Sequence, residues 1–257
     1  MRPVYDTFLF STELDLLEIR LHELRDVVDF HVIIEGVETF TGALKPLHYR
    51  DNAARFSEFA RKIIHVVVAD APREGPWERE HHQRNAMGRV TYPGDALVLI
   101  GDVDEIPHAE IVRNLGDCHE PVILGMRFGQ YWLDRELIGI QFAHCTRAIS
   151  IQGLQRQSSA SSVRRRAEGL VIVNAGWHMS WMGGVGTVRT KLESFSHQEY
   201  NRPELKTDKF LTLTIDNVLP INGGESGCEV RVVPMNELPR YVQENPAKFV
   251  HMMKGSK

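Results

Sequence analysis

"ALVLIGDVDEIP", residues 96–107, carries an apolar run straight into three carboxylates, Asp102, Asp104 and Glu105. An uninterrupted apolar run of this length suits a strand buried on both faces, the habit of parallel sheets covered by helices. Such sheets bind ligands beyond the carboxyl ends of their strands, so the acidic cluster falls where a site is expected. The D-x-D spacing turns Asp102 and Asp104 toward one point, where mutual repulsion raises one pKa unless a cation lies between them. A hard divalent ion, Mn2+ or Mg2+, is the expected neutraliser and leaves positions open for substrate phosphates. The alternative is a solvated acidic turn before a helix starting near His108, with Pro107 leading into it.

Toward the amino terminus, "VYDTFLF" (4–10), "DFHVIIE" (29–35) and "IIHVVVA" (63–69) read as strands like "DALVLIG" (95–101). Between them, "ELDLLEIRLHELRDVV" (13–28) spaces Leu17, Leu21, Leu24 and Val28 at helical intervals, with Ser11 or Thr12 available as N-cap. "DNAARFSEFARK" (51–62) and "WEREHHQRNAMGRVTY" (77–92) predict two more helices. The β-α-β-α-β-α-β order predicts an α/β, Rossmann-like domain with a mostly parallel central sheet flanked by helices. "QRQSSASSVRRRAEG" (155–169) breaks the apolar pattern and reads as the nearest thing to a flexible segment. Beyond Pro203, residues 208–219 and 238–250 predict helices or short mixed elements, and 221–234 a turn into a strand.

Composition narrows the class. The 257 residues suit one large α/β domain or two small ones, and 42% hydrophobic with 25% charged residues is ordinary for a globular chain. A formal net charge of −4 supplies no bulk attraction for nucleic acid, so an anionic ligand must be held locally. Cys118, Cys145 and Cys228 lack CxxC spacing and cannot all pair, which argues against a disulfide framework or structural zinc and fits a reducing compartment. "MRPVYDTFLFSTELD" lacks signal-peptide regions, and no window approaches the ~20 apolar residues that cross a bilayer. The expectation is a soluble, cytoplasmic protein with no transmembrane segment.

Residues 6–47, "GDVDEIP" (101–107), "NAGWHMSW" (174–181) and "KLESFSHQEY" (191–200) together resemble glycosyltransferase family 17, the family of the bisecting N-acetylglucosaminyltransferases. The resemblance runs in order through residues 4–200. It implies a GT-A-type nucleotide-sugar transferase, with residues 1–107 forming the nucleotide-sugar half and 108–257 the acceptor side of a single domain. Golgi members carry a membrane anchor and stem, a feature this sequence does not display. The expectation is a soluble microbial or viral member acting on another glycan, a lipid-linked sugar or a small hydroxyl acceptor. The resemblance also implies a UDP-sugar donor, UDP-N-acetylglucosamine, and inversion by single displacement.

Site residues follow from chemistry and resemblance together. A leaving nucleoside diphosphate is best stabilised by a metal bridging its phosphates, with Asp102 and Asp104 as ligands. His178 in "NAGWHMSW" is the expected third ligand, since neutral imidazole suits Mn2+; a packed core histidine is the alternative. Inversion needs a carboxylate base within reach of the acceptor hydroxyl, for which Asp134, Glu193 and Glu105 are candidates. Asp134 is favoured, against the alternative of a loop carboxylate paired with Arg135. Glu35, Thr39, Thr41 and Lys45 at the end of the second strand and on the loop after it are expected at the donor, as are Arg84 and Asn85 on the helix before the D-x-D strand. Arg84 read structurally is an i,i+4 partner of Glu80. Lys191 and His197 are expected to clamp the diphosphate beside Asp102, and Arg164 to Arg166 form either a closing basic loop or an exposed patch. Trp177 and Trp181 are expected to stack on the acceptor or to fill the core, and the glycines after them to let backbone approach or move over a ligand. Two other classes use the same residues: a metal-dependent phosphohydrolase or nucleotidyltransferase, and a non-catalytic nucleotide-sugar-binding protein.

Overall fold

The computed structural model describes residues 2–139, 145–222 and 228–255. In chain order the amino-terminal half forms β1 (Val4–Phe10), α1 (Leu14–Glu23), β2 (Phe30–Gly36), α2 (His48–Asp51), β3 (Ile63–Val68), α3 (Pro76–Asn85), β4 (Leu97–Asp102), β5 (Glu105–Pro107) and α4 (Ala109–Asn114). There follow β6 (Val122–Leu124), β7 (Arg127–Gln130), β8 (Arg135–Ile138), β9 (Arg147–Ser150), α5 (Ile151–Gln155), α6 (Ala160–Arg165), β10 (Leu170–Ile172) and β11 (Gly176–Ser180). The chain continues through α7 (Gly184–Ser194), α8 (Asp208–Asp216), β12 (Glu229–Val232) and α9 (Arg240–Glu244).

The central sheet is seven-stranded in the order β10-β6-β9-β4-β1-β2-β3, with only β9 running against the others. The apolar strands explain its layering. Val98 and Ile100 of β4 face one side with Val32 and Ile34, under Ala160 and Val163 of α6. Leu97 and Leu99 face the other with Leu24, Val28 and Val112, while Ile33 joins Leu17 and Leu21 of α1 and Phe56 and Phe59. Period-two alternation thus feeds two cores, one on each face of a mostly parallel sheet. Burying a leucine as fully as Leu17 contributes roughly 1.5–3 kcal/mol.

A second sheet, absent from the sequence reading, has the order β12-β8-β7-β11-β5. Its strands are three to five residues long, too short for a periodicity signal. The chain passes from the first sheet to the second between Asp102, the last residue of β4, and Glu105, the first of β5. The acidic cluster is therefore the junction of the two sheets. Glu105 stands opposite His178 in the antiparallel β5–β11 ladder. Gly176 in that ladder has no room for a side chain, since a Cβ would lie 2.2 Å from the Ile106 carbonyl oxygen.

Several local expectations change. Residues 51–62 are not a regular helix: α2 stops at Asp51, and Ala53–Phe59 is a 3-10 turn interrupted at Phe56. The helix expected over 77–92 ends at Asn85 and tightens into a 3-10 turn, Ala86–Arg89. Neither Ser11 nor Thr12 caps α1; the Glu13 carboxylate accepts their backbone N–H groups instead, at 3.2 and 2.8 Å. Pro107 lies in β5, ahead of α4. The serine-rich stretch at 155–169 is largely structured, because Ser150 caps α5 and Ser159 with Ser162 forms a capping box on α6. The expected turn after residue 221 lies partly outside the described residues. Among the described residues no helix is long and apolar enough to cross a membrane.

Candidate active site

A cleft of about 600 Å3 opens beyond the carboxyl ends of β1, β2 and β4. Segments following those strands supply Ser11 to Glu13, Glu38 to Phe40, and Asp102 to Glu105; helix α3 adds Trp77, Glu80, Gln83 and Arg84. The opposite wall comes from Arg164 and Arg165 of α6, His178 and Ser180 of β11, Lys191 and Ser194 of α7, and Phe195 to His197.

The acidic cluster is neutralised first by the chain's own cations. Arg84 Nη2 stands 2.9 Å from one oxygen of Asp102, and Arg164 Nη2 stands 3.2 Å from the other. Burial opposes ionisation of Asp102, but Arg84 and Arg164 outweigh it and hold its carboxyl well below the usual carboxylate range. Glu105 forms an ion pair with Arg164 and accepts from the Thr146 hydroxyl at 3.1 Å and the Asp102 amide at 3.2 Å. Burial pushes its carboxyl up to about 7; Arg164 pulls it down, while Asp102 and Asp104 push it further up. Asp104 accepts from Lys191 Nζ at 3.2 Å and lies 3.8 Å from His178 Nε2. Burial holds His178 below its ordinary pKa, Asp104 opposing, so the imidazole is neutral at pH 7. Lys191 is held above its ordinary value: burial alone would lower it, but Asp104 and Glu13 more than compensate.

These contacts bear on the expected metal ligands. Asp102 offers both oxygens to guanidinium groups, which makes it a poor first choice for an ion. Asp104 and His178 fit a hard or borderline divalent ion better, since they join a carboxylate to a neutral imidazole at the cleft wall. Ligand atoms of Glu105, Cys145 and His178 also lie within 4.8 Å of one another. Burial pushes the Cys145 thiol up to about 12, so it stays protonated and suits Mg2+ or Mn2+ poorly.

Other expected site residues divide between the cleft and its supports. Thr39, Lys45, Arg84, Lys191 and His197 line the cleft. Glu35 is fully buried beneath it and accepts from Lys45, His65 and the Tyr49 amide. Thr41 donates to the Glu193 carbonyl, fastening its loop to α7, and Asn85 accepts from the Ser161 amide at 2.9 Å, fastening α3 to α6. Asp134, the favoured base, is outside the cleft. Its oxygens are taken by Arg135 at 2.7 Å and by the Lys254 and Gly255 amides, so it secures the carboxyl-terminal segment. Glu193 is exposed on α7 and pairs with Lys206. Only Glu105 of the three base candidates reaches the cleft.

Strand alternation separates the tryptophans from the ligand side. On β11, His178 and Ser180 line the cleft, whereas Trp177 packs with Met179 in a different core and donates to the Glu237 carbonyl. Trp181 packs against Phe195 with Lys191 Nζ 5.2 Å from its ring centre. Its backbone is left-handed, φ 61°, ahead of Gly183 and Gly184 at φ 101° and 77°. A bulky residue held there is a strained point just after β11. The exposed aromatic face belongs instead to Trp77, 39% exposed, with His197 edge-on at 4.6 Å. Arg164 is buried and engaged, Arg165 faces the cleft, and Arg166 pairs with Glu120 outside it.

Sequence reasoning missed Glu13, Glu38, Ser180 and Ser196 at the cleft, and Thr146 behind it. Glu13 and Glu38 follow strand ends and were accessible to the same logic that found Asp102. Ser180 was accessible as the residue two beyond His178 on one strand. Ser196 and Thr146 carry no such signal.

The fold defines an α/β protein whose parallel strands end at a cleft lined by charged side chains. The chain belongs to glycosyltransferase family 17, whose model matches residues 1–215. Beta-1,4-mannosyl-glycoprotein 4-beta-N-acetylglucosaminyltransferases from Rattus norvegicus and Mus musculus are each 25% identical over 99% of this chain. The Homo sapiens enzyme of the same name is 25% identical over 98% of it. The chain spans 55% of each of these relatives. Among solved structures, 4-diphosphocytidyl-2C-methyl-D-erythritol synthase superposes with a TM-score of 0.42 and 13% identity, covering 68% of this chain and 90% of that one.

Proposed function

We propose that the chain is a metal-dependent, inverting glycosyltransferase that moves N-acetylglucosamine from UDP-N-acetylglucosamine to a hydroxyl of a glycan or smaller acceptor. The observation that carries this reading is the meeting of Asp104, His178 and Lys191 in the strand-end cleft of a family 17 chain. Asp104 and His178 would hold Mn2+ or Mg2+, which when bound neutralises charge on the donor diphosphate. Lys191 supplies a second positive charge on the same side, and Lys45 another from the loop that follows β2. Arg84 and Arg164 hold Asp102 ionised and oriented rather than touching the phosphates themselves. Glu105, whose carboxyl is tuned to about 7, takes the acceptor proton. Trp77 and His197 offer the acceptor sugar an apolar face.

The test is release of UDP from a panel of nucleotide sugars, with Mn2+ or EDTA, by the intact chain and by Asp104→Ala. Metal-dependent release from one sugar nucleotide, lost in the variant, supports the reading and identifies the donor. Release of inorganic phosphate or pyrophosphate would move the chain to hydrolase or nucleotidyltransferase chemistry. Binding without turnover with any acceptor or water would make it a sugar-nucleotide carrier.

A further inference from the structure

We infer that Arg20, which lies outside the cleft, is the positioning residue of the Asp102–Glu105 turn. This inference rests on the proposed role of that turn in the donor site. Arg20 sits on α1 with none of its surface exposed, behind the cleft wall. Its guanidinium faces two ways. On the core side, Nε and Nη2 donate to the two oxygens of Asp6 at 2.8 and 2.6 Å, and the His31 ring donates to the same carboxylate from Nδ1 at 2.9 Å. On the cleft side, a single nitrogen, Nη1, donates to the Asp102 carbonyl at 3.0 Å and to the Glu105 carbonyl at 2.5 Å. The Phe8 ring, 4.5 Å from the guanidinium carbon, completes its surroundings.

The two carbonyls are the first and last of the turn that carries the chain from one sheet to the other. Held on one nitrogen, they fix the span of the turn and hence the directions of Asp102, Asp104 and Glu105. The two ladders hold the ends separately, Asp102 opposite Leu9 and Glu105 opposite His178, and among the described residues no backbone bond joins one end to the other. Val103 and Asp104 lie between β4 and β5; the Val103 amide donates to the Leu9 carbonyl at 3.1 Å, and the Asp104 carbonyl accepts from the Met179 amide at 2.7 Å. Arginine is suited to the task because its planar fork takes a carboxylate on one edge while another nitrogen points away. A lysine can keep the charge pair with Asp6 but has one head group and cannot also span both carbonyls. The arrangement is a poor device for stability alone, since a buried ion pair is often matched or exceeded by apolar residues of similar volume. Fixing the turn is what the polar cluster adds.

Two variants test this. Arg20→Lys retains a charge for Asp6. The triple variant Asp6→Leu, Arg20→Met, His31→Leu removes the buried charges together. Circular dichroism and thermal melts establish folding, and hydrogen exchange measured by mass spectrometry follows residues 100–107 against residues 30–36. UDP release from UDP-N-acetylglucosamine with Mn2+ gives kcat and KM, and calorimetry gives UDP affinity. The expected result is a folded protein, the triple variant melting at or above the parent temperature, with exchange faster by tenfold or more in 100–107 only. Catalysis should fall about 100-fold in kcat with UDP affinity changed less than about threefold, the scale set by a misplacement near 1 Å. Parent-like exchange at 100–107 in a folded variant would overturn the inference, as would parent-like kcat. Failure of both variants to fold would make Arg20 a core residue and overturn it as well. If the intact chain releases no UDP under any condition, the transferase reading fails, and the exchange measurement alone still decides whether Arg20 holds the turn.

Discussion

Replacing Arg164 by methionine gives the most direct reading of how the cleft is tuned. Arg164 is buried, pairs with Glu105, and stands 3.2 Å from Asp102. Asp102 keeps Arg84 at 2.9 Å after the change, so it remains ionised. Glu105 loses the larger of its two lowering cations and keeps Arg84, while burial and the Asp102 and Asp104 charges continue to push it up from about 7. Its pKa in the variant therefore rises. In the parent, the folded value of about 7 exceeds the reference 4.5. A raised carboxyl stabilises the fold in its protonated form, so its contribution is complete below about pH 4.5 and is lost as pH climbs to 7. At 1.36 kcal/mol per unit the span amounts to roughly 3 kcal/mol. The variant extends that loss to higher pH, but at pH 7 Glu105 is neutral, so no unpaired buried charge remains. The net destabilisation should stay below the 3–5 kcal/mol typical of a broken buried pair, at about 1–3 kcal/mol. The assay is the pH profile of UDP release, with melts across the same range. The parent's ascending limb is expected near pH 7 and the variant's at least about one unit higher, a tenfold loss of rate at neutral pH for each unit. An unmoved limb in a folded, active Arg164→Met protein would refute Glu105 as the base or Arg164 as its tuner. Glu105→Gln separates the two, since loss of the limb with that variant keeps the base assignment.

Trp77→Ala should raise the acceptor KM about tenfold while leaving slow donor hydrolysis unchanged, because the exposed ring edges the cleft without touching the Asp102 cluster. Equal losses in both reactions, measured by steady-state kinetics, would contradict the acceptor-face assignment. Leu17→Ala, in the fully buried core between α1 and the central sheet, should cost about 2–5 kcal/mol in urea unfolding with the metal requirement intact. A loss below about 1 kcal/mol would contradict the packing described for that face.

The sequence by itself determined the class of fold. The runs at 4–10, 29–35, 63–69 and 95–101 are near-continuously apolar, broken by few polar residues such as Asp6 and His31, and a sheet covered on both faces buries them. That also placed Asp102 and Asp104 at the ligand edge, because the end of a buried strand is visible in the sequence as the point where charge begins. Tertiary structure decided what those carboxylates meet. The cations opposite Asp102 come from α3 and α6, and Asp104 meets β11 and α7, all brought in by chain reversals that no local spacing encodes. It also decided against Asp134 and Trp177, whose residue types suit a site but whose positions put them elsewhere. Asp134 sits where the carboxyl-terminal backbone needs an acceptor, and Trp177 takes the far face of the strand that turns His178 toward the cleft. Local pattern records which face of an element is apolar; which polar groups converge depends on the crossing of distant segments. The second sheet, built from strands too short to show a period, supplies His178 to that crossing through β11.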